Sequence, residues 1–164
     1  VARKLKSASV DCLVLCANTL HQYADRIVEE VKLPIIHIAD ATAVEIKKLG
    51  LSKIGLLGTK FTMEMDFYTK RLSEAGINSI VPEKLERLFI HNTIMDELLK
   101  EIFKPESKKR FLEIINDLEQ KGAQGIVLGC TEIPLLIKQS DTHLPVFNTL
   151  KIHAKAAVDF AVKE

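Results

Sequence analysis

Apolar residues in this chain come either in short, nearly continuous runs or in stretches where they recur every three to four positions. The continuous runs lie at 11–15, 34–38, 53–57, 79–81, 125–128 and 145–147. Runs of this length, rich in Val, Ile and Leu and without alternation, are expected of strands buried on both faces of a parallel sheet. The helical stretches lie at 20–31, 41–49, 61–75, 91–103, 107–121 and 150–163. Strands alternating with helices predict an α/β fold with right-handed crossovers. The chain opens without Met on residues that read as the tail of a helix feeding the run at 11–15, so a preceding βα portion is expected; a short leading helix is the alternative.

In open parallel sheets the ligand lies beyond the carboxyl ends of the strands. Three such exits carry the same kind of residues: Cys16-Ala17-Asn18-Thr19, Gly58-Thr59 and Gly129-Cys130-Thr131-Glu132. Each brings small residues and a hydroxyl to the start of a helix, where free backbone N–H groups favour an anion. The same residues are also ordinary helix caps, and Thr59 alone reads as a cap first. Cys130 precedes a helix start with Pro134 in its first turn, a position that lowers a thiol pKa; the other reading is a small buried packing residue. Cys12 is expected in the core. His21, His37 and His153 are expected to be structural hydrogen-bonders, and His91 and His143 to lie at the surface or at helix entries.

With 164 residues and 47% hydrophobic content the chain fits one ordinary domain or two small lobes. A formal net charge of +1 gives no bulk electrostatic reason to expect nucleic acid or an anionic membrane as partner. No apolar run approaches the ~20 residues needed to span a bilayer, and the first residues carry no secretion-signal pattern; the expectation is a cytoplasmic protein with free thiols. No zinc-type Cys/His spacing and no Gly-rich phosphate loop is found, so neither metal nor nucleotide cofactor is expected.

The strand-exit residues also resemble a known family. Cys16-Ala17-Asn18-Thr19-Leu20-His21 resembles the first signature of the pyridoxal-independent aspartate/glutamate racemases, and Leu128-Gly129-Cys130-Thr131-Glu132-Ile133 the second. Ile38–Ala43, Leu57–Met63, Phe147-Asn148-Thr149 and His153-Ala154 are similar to the aspartate/glutamate-specific branch, although that branch usually has Asp where Asn148 stands. The resemblance implies two similar α/β lobes around a cleft, with residues 1–36 plus 148–164 in a partial first lobe and 37–147 in the second, in a homodimer. It implies cofactor-free proton transfer at the α-carbon of a small dicarboxylic amino acid. Cys130 would be the acid/base thiol, and Asn18, Thr19, Thr59 and Thr131 the donors around the substrate. Glu132 would polarise a neighbour, orient the substrate ammonium, or simply begin a helix. Lys60 is a candidate partner for the second carboxylate.

One position departs from the two-thiol pattern. Ala17 stands where the first catalytic cysteine directly precedes Asn-Thr, and Cys16 lies one residue earlier, a step that turns a side chain to the opposite face of an extended segment. Three activities follow: a racemase with one cysteine and a second proton donor such as water or Cys16, a one-cysteine decarboxylase of malonate-type acids, or an amino-acid-binding homologue without turnover.

Overall fold

Four of the six apolar runs become strands of one parallel sheet in the computed structural model, which describes residues 1–162. They are β1 (Lys53–Gly58), β2 (Asn78–Ile80), β3 (Ile126–Gly129) and β4 (Val146–Asn148), in the order β2-β1-β3-β4. The helices, in chain order, are α1 (Ala2–Ser7), α2 (Ala24–Val31), α3 (Ile38–Lys48), α4 (Lys60–Glu64), α5 (Asp66–Glu74), α6 (Lys84–Asp96), α7 (Pro105–Gln120), α8 (Ile133–Leu136) and α9 (Thr149–Ala161). Position 163 of the helix expected at 150–163, like 164 of the segment 148–164, lies outside the described residues. None of the described helices is long and apolar enough to cross a membrane.

Both faces of the sheet are covered, which explains why its strands do not alternate. Ile54, Leu56, Val127 and Phe147 point to one side, against Ile38 and Ile46 of α3 and Tyr68 and Leu72 of α5. Leu57, Ile126 and Leu128 point to the other, against Ile90 and Ile94 of α6 and Phe111, Ile114 and Leu118 of α7. On that second side Gly55 lets Ile126 and Leu118 pack close, since a Cβ there would sit 2.8 Å from Ile126 Cδ1 and 2.9 Å from Leu118 Cδ1 and both methyls would have to shift.

The chain runs from β1 to β2 on one side of it, then returns to β3 on the other. The order therefore reverses between β1 and β3, where an open α/β sheet leaves a crevice for ligand. Gly58 and Gly129 are register partners at that point. A Cβ on Gly58 would meet the Gly129 carbonyl at 2.8 Å, so only glycine lets the two strand ends run this close.

Several boundaries differ from expectation. The runs at 11–15 and 34–38 form a single parallel bridge, Leu13 with Ile35, held by Leu13 N–H to Pro34 O (2.9 Å) and Ile36 N–H to Leu13 O (3.1 Å). Among the described residues each run pairs only with the other, and Ile38 already begins α3, so no longer ladder forms. The strands at 78–80, 126–129 and 146–148 each sit one residue from their expected positions, and β1 runs one residue past its own. The helix expected at 61–75 breaks at Met65, whose extended backbone (φ −89°, ψ 154°) separates α4 from α5. The helix expected at 91–103 starts at Lys84 instead. There Glu83 and Glu86 form a reciprocal capping box, a stronger start signal than the apolar period alone.

Candidate active site

The three strand-exit motifs meet at the β1/β3 reversal. Residue 59 follows directly from β1 and residue 130 from β3, so the register of Gly58 with Gly129 sets Thr59 and Cys130 side by side in sequence position. A 3-10 turn over Asn18–Tyr23 brings the first motif to the same place. The Thr19 hydroxyl is 3.2 Å from that of Thr59, which lies 3.3 Å from Thr62 Oγ1 and caps α4. The buried Asn18 amide donates to Thr149 Oγ1 (3.1 Å), and Thr149 in turn donates to the carbonyl of Leu128 in β3 (2.8 Å). Asn18 Oδ1 is buried and has no hydrogen-bond partner among the described residues. An unsatisfied buried acceptor is costly unless a ligand supplies the donor.

Cys130, Thr131 and Glu132 form a compact unit. The Cys130 thiol donates to Glu132 Oε2 at 2.9 Å, and the Thr131 hydroxyl donates to Glu132 Oε1 at 2.6 Å. One carboxylate therefore holds both neighbours.

The expected lowering of the thiol pKa at a helix start is reversed. Burial first, then the Glu132 carboxylate beside it, push the Cys130 thiol up to about 12. The backbone N–H groups of Glu132 and Ile133 pull it down, as the sequence implies. They lose because α8 is a single four-residue turn, while Cys130 is 7% exposed. In the ligand-free site the thiol is thus protonated and hydrogen-bonded to a carboxylate.

All six residues singled out from the sequence lie around this reversal: Asn18, Thr19, Thr59, Cys130, Thr131 and Glu132. Thr149 is the one sequence reasoning missed as a site residue, although the strand-exit rule applied to Phe147-Asn148-Thr149 would have found it. Lys60 is exposed and carries its ammonium over the Phe61 ring, 5.2 Å from the centre. Cys16 is exposed and only 3.9 Å from the Val14 carbonyl, while Ala17 keeps an extended backbone. Cys12 is half-buried, looser than the core position expected. His21, His37 and His153 hydrogen-bond to backbone, as expected, and pack ring to ring. Among the described residues no group of His, Cys, Asp and Glu is arranged to hold a metal ion.

Comparison with known proteins points the same way. A glutamate racemase from Aquifex aeolicus is 29% identical over 168 residues, covering 99% of this chain and 63% of that protein, so the chain spans about three fifths of its relative's length. A solved protein from Yersinia pestis, whose Asp/Glu racemase activity is an assignment, is 46% identical with a TM-score of 0.94, covering 99% of this chain and 71% of that one. An aspartate racemase homologue from Pyrococcus horikoshii is 38% identical with a TM-score of 0.89 and the same coverage. The family model described as Asp/Glu/hydantoin racemase matches residues 1–157, nearly the whole chain, and the protein belongs to that family.

Proposed function

We propose that the protein is a cofactor-independent amino-acid racemase acting on aspartate or glutamate, with Cys130 as the group that moves the α-proton. The observation that carries this reading is the thiol–carboxylate pair of Cys130 and Glu132 at the sheet reversal, with amide and hydroxyl groups gathered beside it.

A protonated thiol is no base, so ionisation must come with the ligand. The substrate ammonium brings a positive charge beside Glu132, which offsets the carboxylate that holds the thiol pKa up. Asn18 Oδ1, left without a partner, is a natural acceptor for an ammonium N–H. As the ligand binds, the thiol releases its own proton to solvent; the thiolate then takes the α-proton from one face, and the negative charge spreads into the substrate carboxylate. Thr19, Thr59 and Thr131 hydroxyls are the donors for that developing charge. Racemization is completed when a second acid delivers a proton to the opposite face while Cys130 keeps the one it removed. Ala17 cannot be that acid; water and Cys16 are candidates for it.

The division into a first lobe of 1–36 with 148–164 and a second of 37–147 belongs to the same reading. It is supported by the pairing of Leu13 with Ile35 apart from the main sheet.

The test is chiral chromatography of aspartate and glutamate, each enantiomer supplied separately to the protein. Appearance of the mirror form is expected. Binding without inversion would favour the ligand-binding alternative, and loss of carbon dioxide from a substituted malonate would favour the one-thiol decarboxylase.

A further inference from the structure

The turn that carries Asn18 and Thr19 has a difficulty built into it. Its contacts with the rest of the site are the Asn18–Thr149 and Thr19–Thr59 hydrogen bonds, made by the groups a substrate would engage. Groups that exchange partners when ligand arrives cannot also fix the turn's position. Something else must.

At the turn, three histidine rings from three elements pack together. His21 comes from the turn, His37 from the N-cap of α3, and His153 from α9. His21 and His37 centroids are 4.6 Å apart, His21 and His153 5.3 Å, both pairs edge to face. All three are buried.

Their hydrogen bonds fix the tautomers. The Ile38 N–H donates to His21 Nε2 (3.2 Å), so that nitrogen holds a lone pair, and Nδ1–H donates to Ala17 O (2.9 Å). One ring thus grips both the start of the turn and the first residue of α3. His153 Nε2 donates to Ile36 O at 2.6 Å, and His37 Nδ1 accepts from Ala39 N–H at 3.2 Å.

We propose that His21 is a positioning residue for the ligand-binding turn, holding Asn18 and Thr19 in place through its neutral Nδ1–H tautomer while His37 and His153 pack it in position. The proposal rests on the racemase reading for its consequence in turnover, but the tether itself does not depend on it. Burial favours the uncharged ring this requires, and keeps His21 down to about 4.

Two near-isosteres separate the bonds. In His21→Asn the amide N–H sits near Nδ1 and keeps the Ala17 bond, but the Ile38 N–H loses its acceptor. In His21→Gln the carboxamide oxygen lies near Nε2 and restores that acceptor. We expect His21→Asn to raise KM roughly fivefold, the scale of one lost hydrogen bond, with kcat within about twofold. Amide exchange at residues 17–23 should quicken while β1 and β3 stay protected, and His21→Gln, which regains the Ile38 bond but gives up the Nδ1–H bond to Ala17, should recover both measures only in part. A lower melting temperature in His21→Asn with KM and 17–23 protection unchanged would reduce His21 to ordinary packing and overturn the proposal.

Because a buried substitution can block folding, a second measurement uses the unaltered protein. Long-range ¹H–¹⁵N spectra should show His21 as the neutral Nδ1–H tautomer, both free and with aspartate titrated in. The Nε2–H tautomer or a charged ring at neutral pH contradicts the positioning role. If no aspartate or glutamate binds or turns over, the racemase reading fails, and exchange at 17–23 in the two variants still decides the tether.

Discussion

The β1/β3 exit and the 17–23 turn meet at one site, yet the first is built into a buried parallel ladder and the second hangs from side-chain hydrogen bonds. Gly58 and Gly129 lie in register within a sheet whose central strands are buried apart from Lys53 at the start of β1. The turn instead follows a segment with one bridge, Leu13 to Ile35, and reaches the site through Asn18, Thr19 and His21. The place of Cys130 is therefore set by backbone geometry, whereas those of Asn18 and Thr19 are set by polar contacts that ligand and pH can alter. Rigid placement suits a group that must meet an α-carbon within a few tenths of an ångström.

Substitutions in the rigid wall should cost the most. Cys130→Ser should lower racemization by ~10³-fold while leaving the melting temperature nearly unchanged, because a hydroxyl fits the space but does not ionise near neutral pH. Glu132→Gln should cost activity about 10²-fold, and should also move the Cys130 thiol downward from about 12, because the carboxylate that holds it up is gone. Thiolate ultraviolet absorbance, with Cys12 and Cys16 replaced by serine, reads that change; an upward movement, or none, would contradict the assignment. Gly58→Ala should destabilise the fold by about 1–3 kcal/mol in urea, since its Cβ strikes a backbone carbonyl that has no room to give.

The softer wall is tested by acid. Burial lowers His21 to about 4 and His37 to about 3, below the ordinary 6.5. On acidification the unfolded chain therefore takes up protons before the folded one. The stability these neutral rings contribute is complete above pH ~6.5 and is lost progressively as pH falls towards ~4, by up to about 1.4 kcal/mol per pH unit for each ring. Urea midpoints between pH 7 and pH 4 should fall accordingly, and His21→Gln should flatten the slope. The smallest effect is expected at Arg3→Ala, which removes an exposed pair with Glu30 and should change stability by less than ~0.5 kcal/mol.

What is legible in the sequence follows the same division. Strands 53–57 and 125–128 can be read because burial on both faces leaves an unbroken apolar run, and their exits then name Thr59 and Cys130. The runs at 11–15 and 34–38 look the same in sequence, but how far two segments pair depends on partners no single run reveals. The break at Met65 is hidden because its residue type is a good helix former. The pKa of Cys130 is misleading for a related reason: the helix start is visible in the chain, whereas the burial and the 2.9 Å approach of Glu132 that outweigh it arise only on folding. Thr149 escapes notice because its link to Asn18 spans the chain from end to end.

Whether Cys130 carries the α-proton can be read by following loss of the α-hydrogen of each aspartate and glutamate enantiomer in D₂O by proton NMR. The wild-type protein should exchange the α-hydrogen of at least one enantiomer, and folded Cys130→Ser should exchange neither. Undiminished exchange in Cys130→Ser would show that another group moves the proton and would contradict the assignment of Cys130.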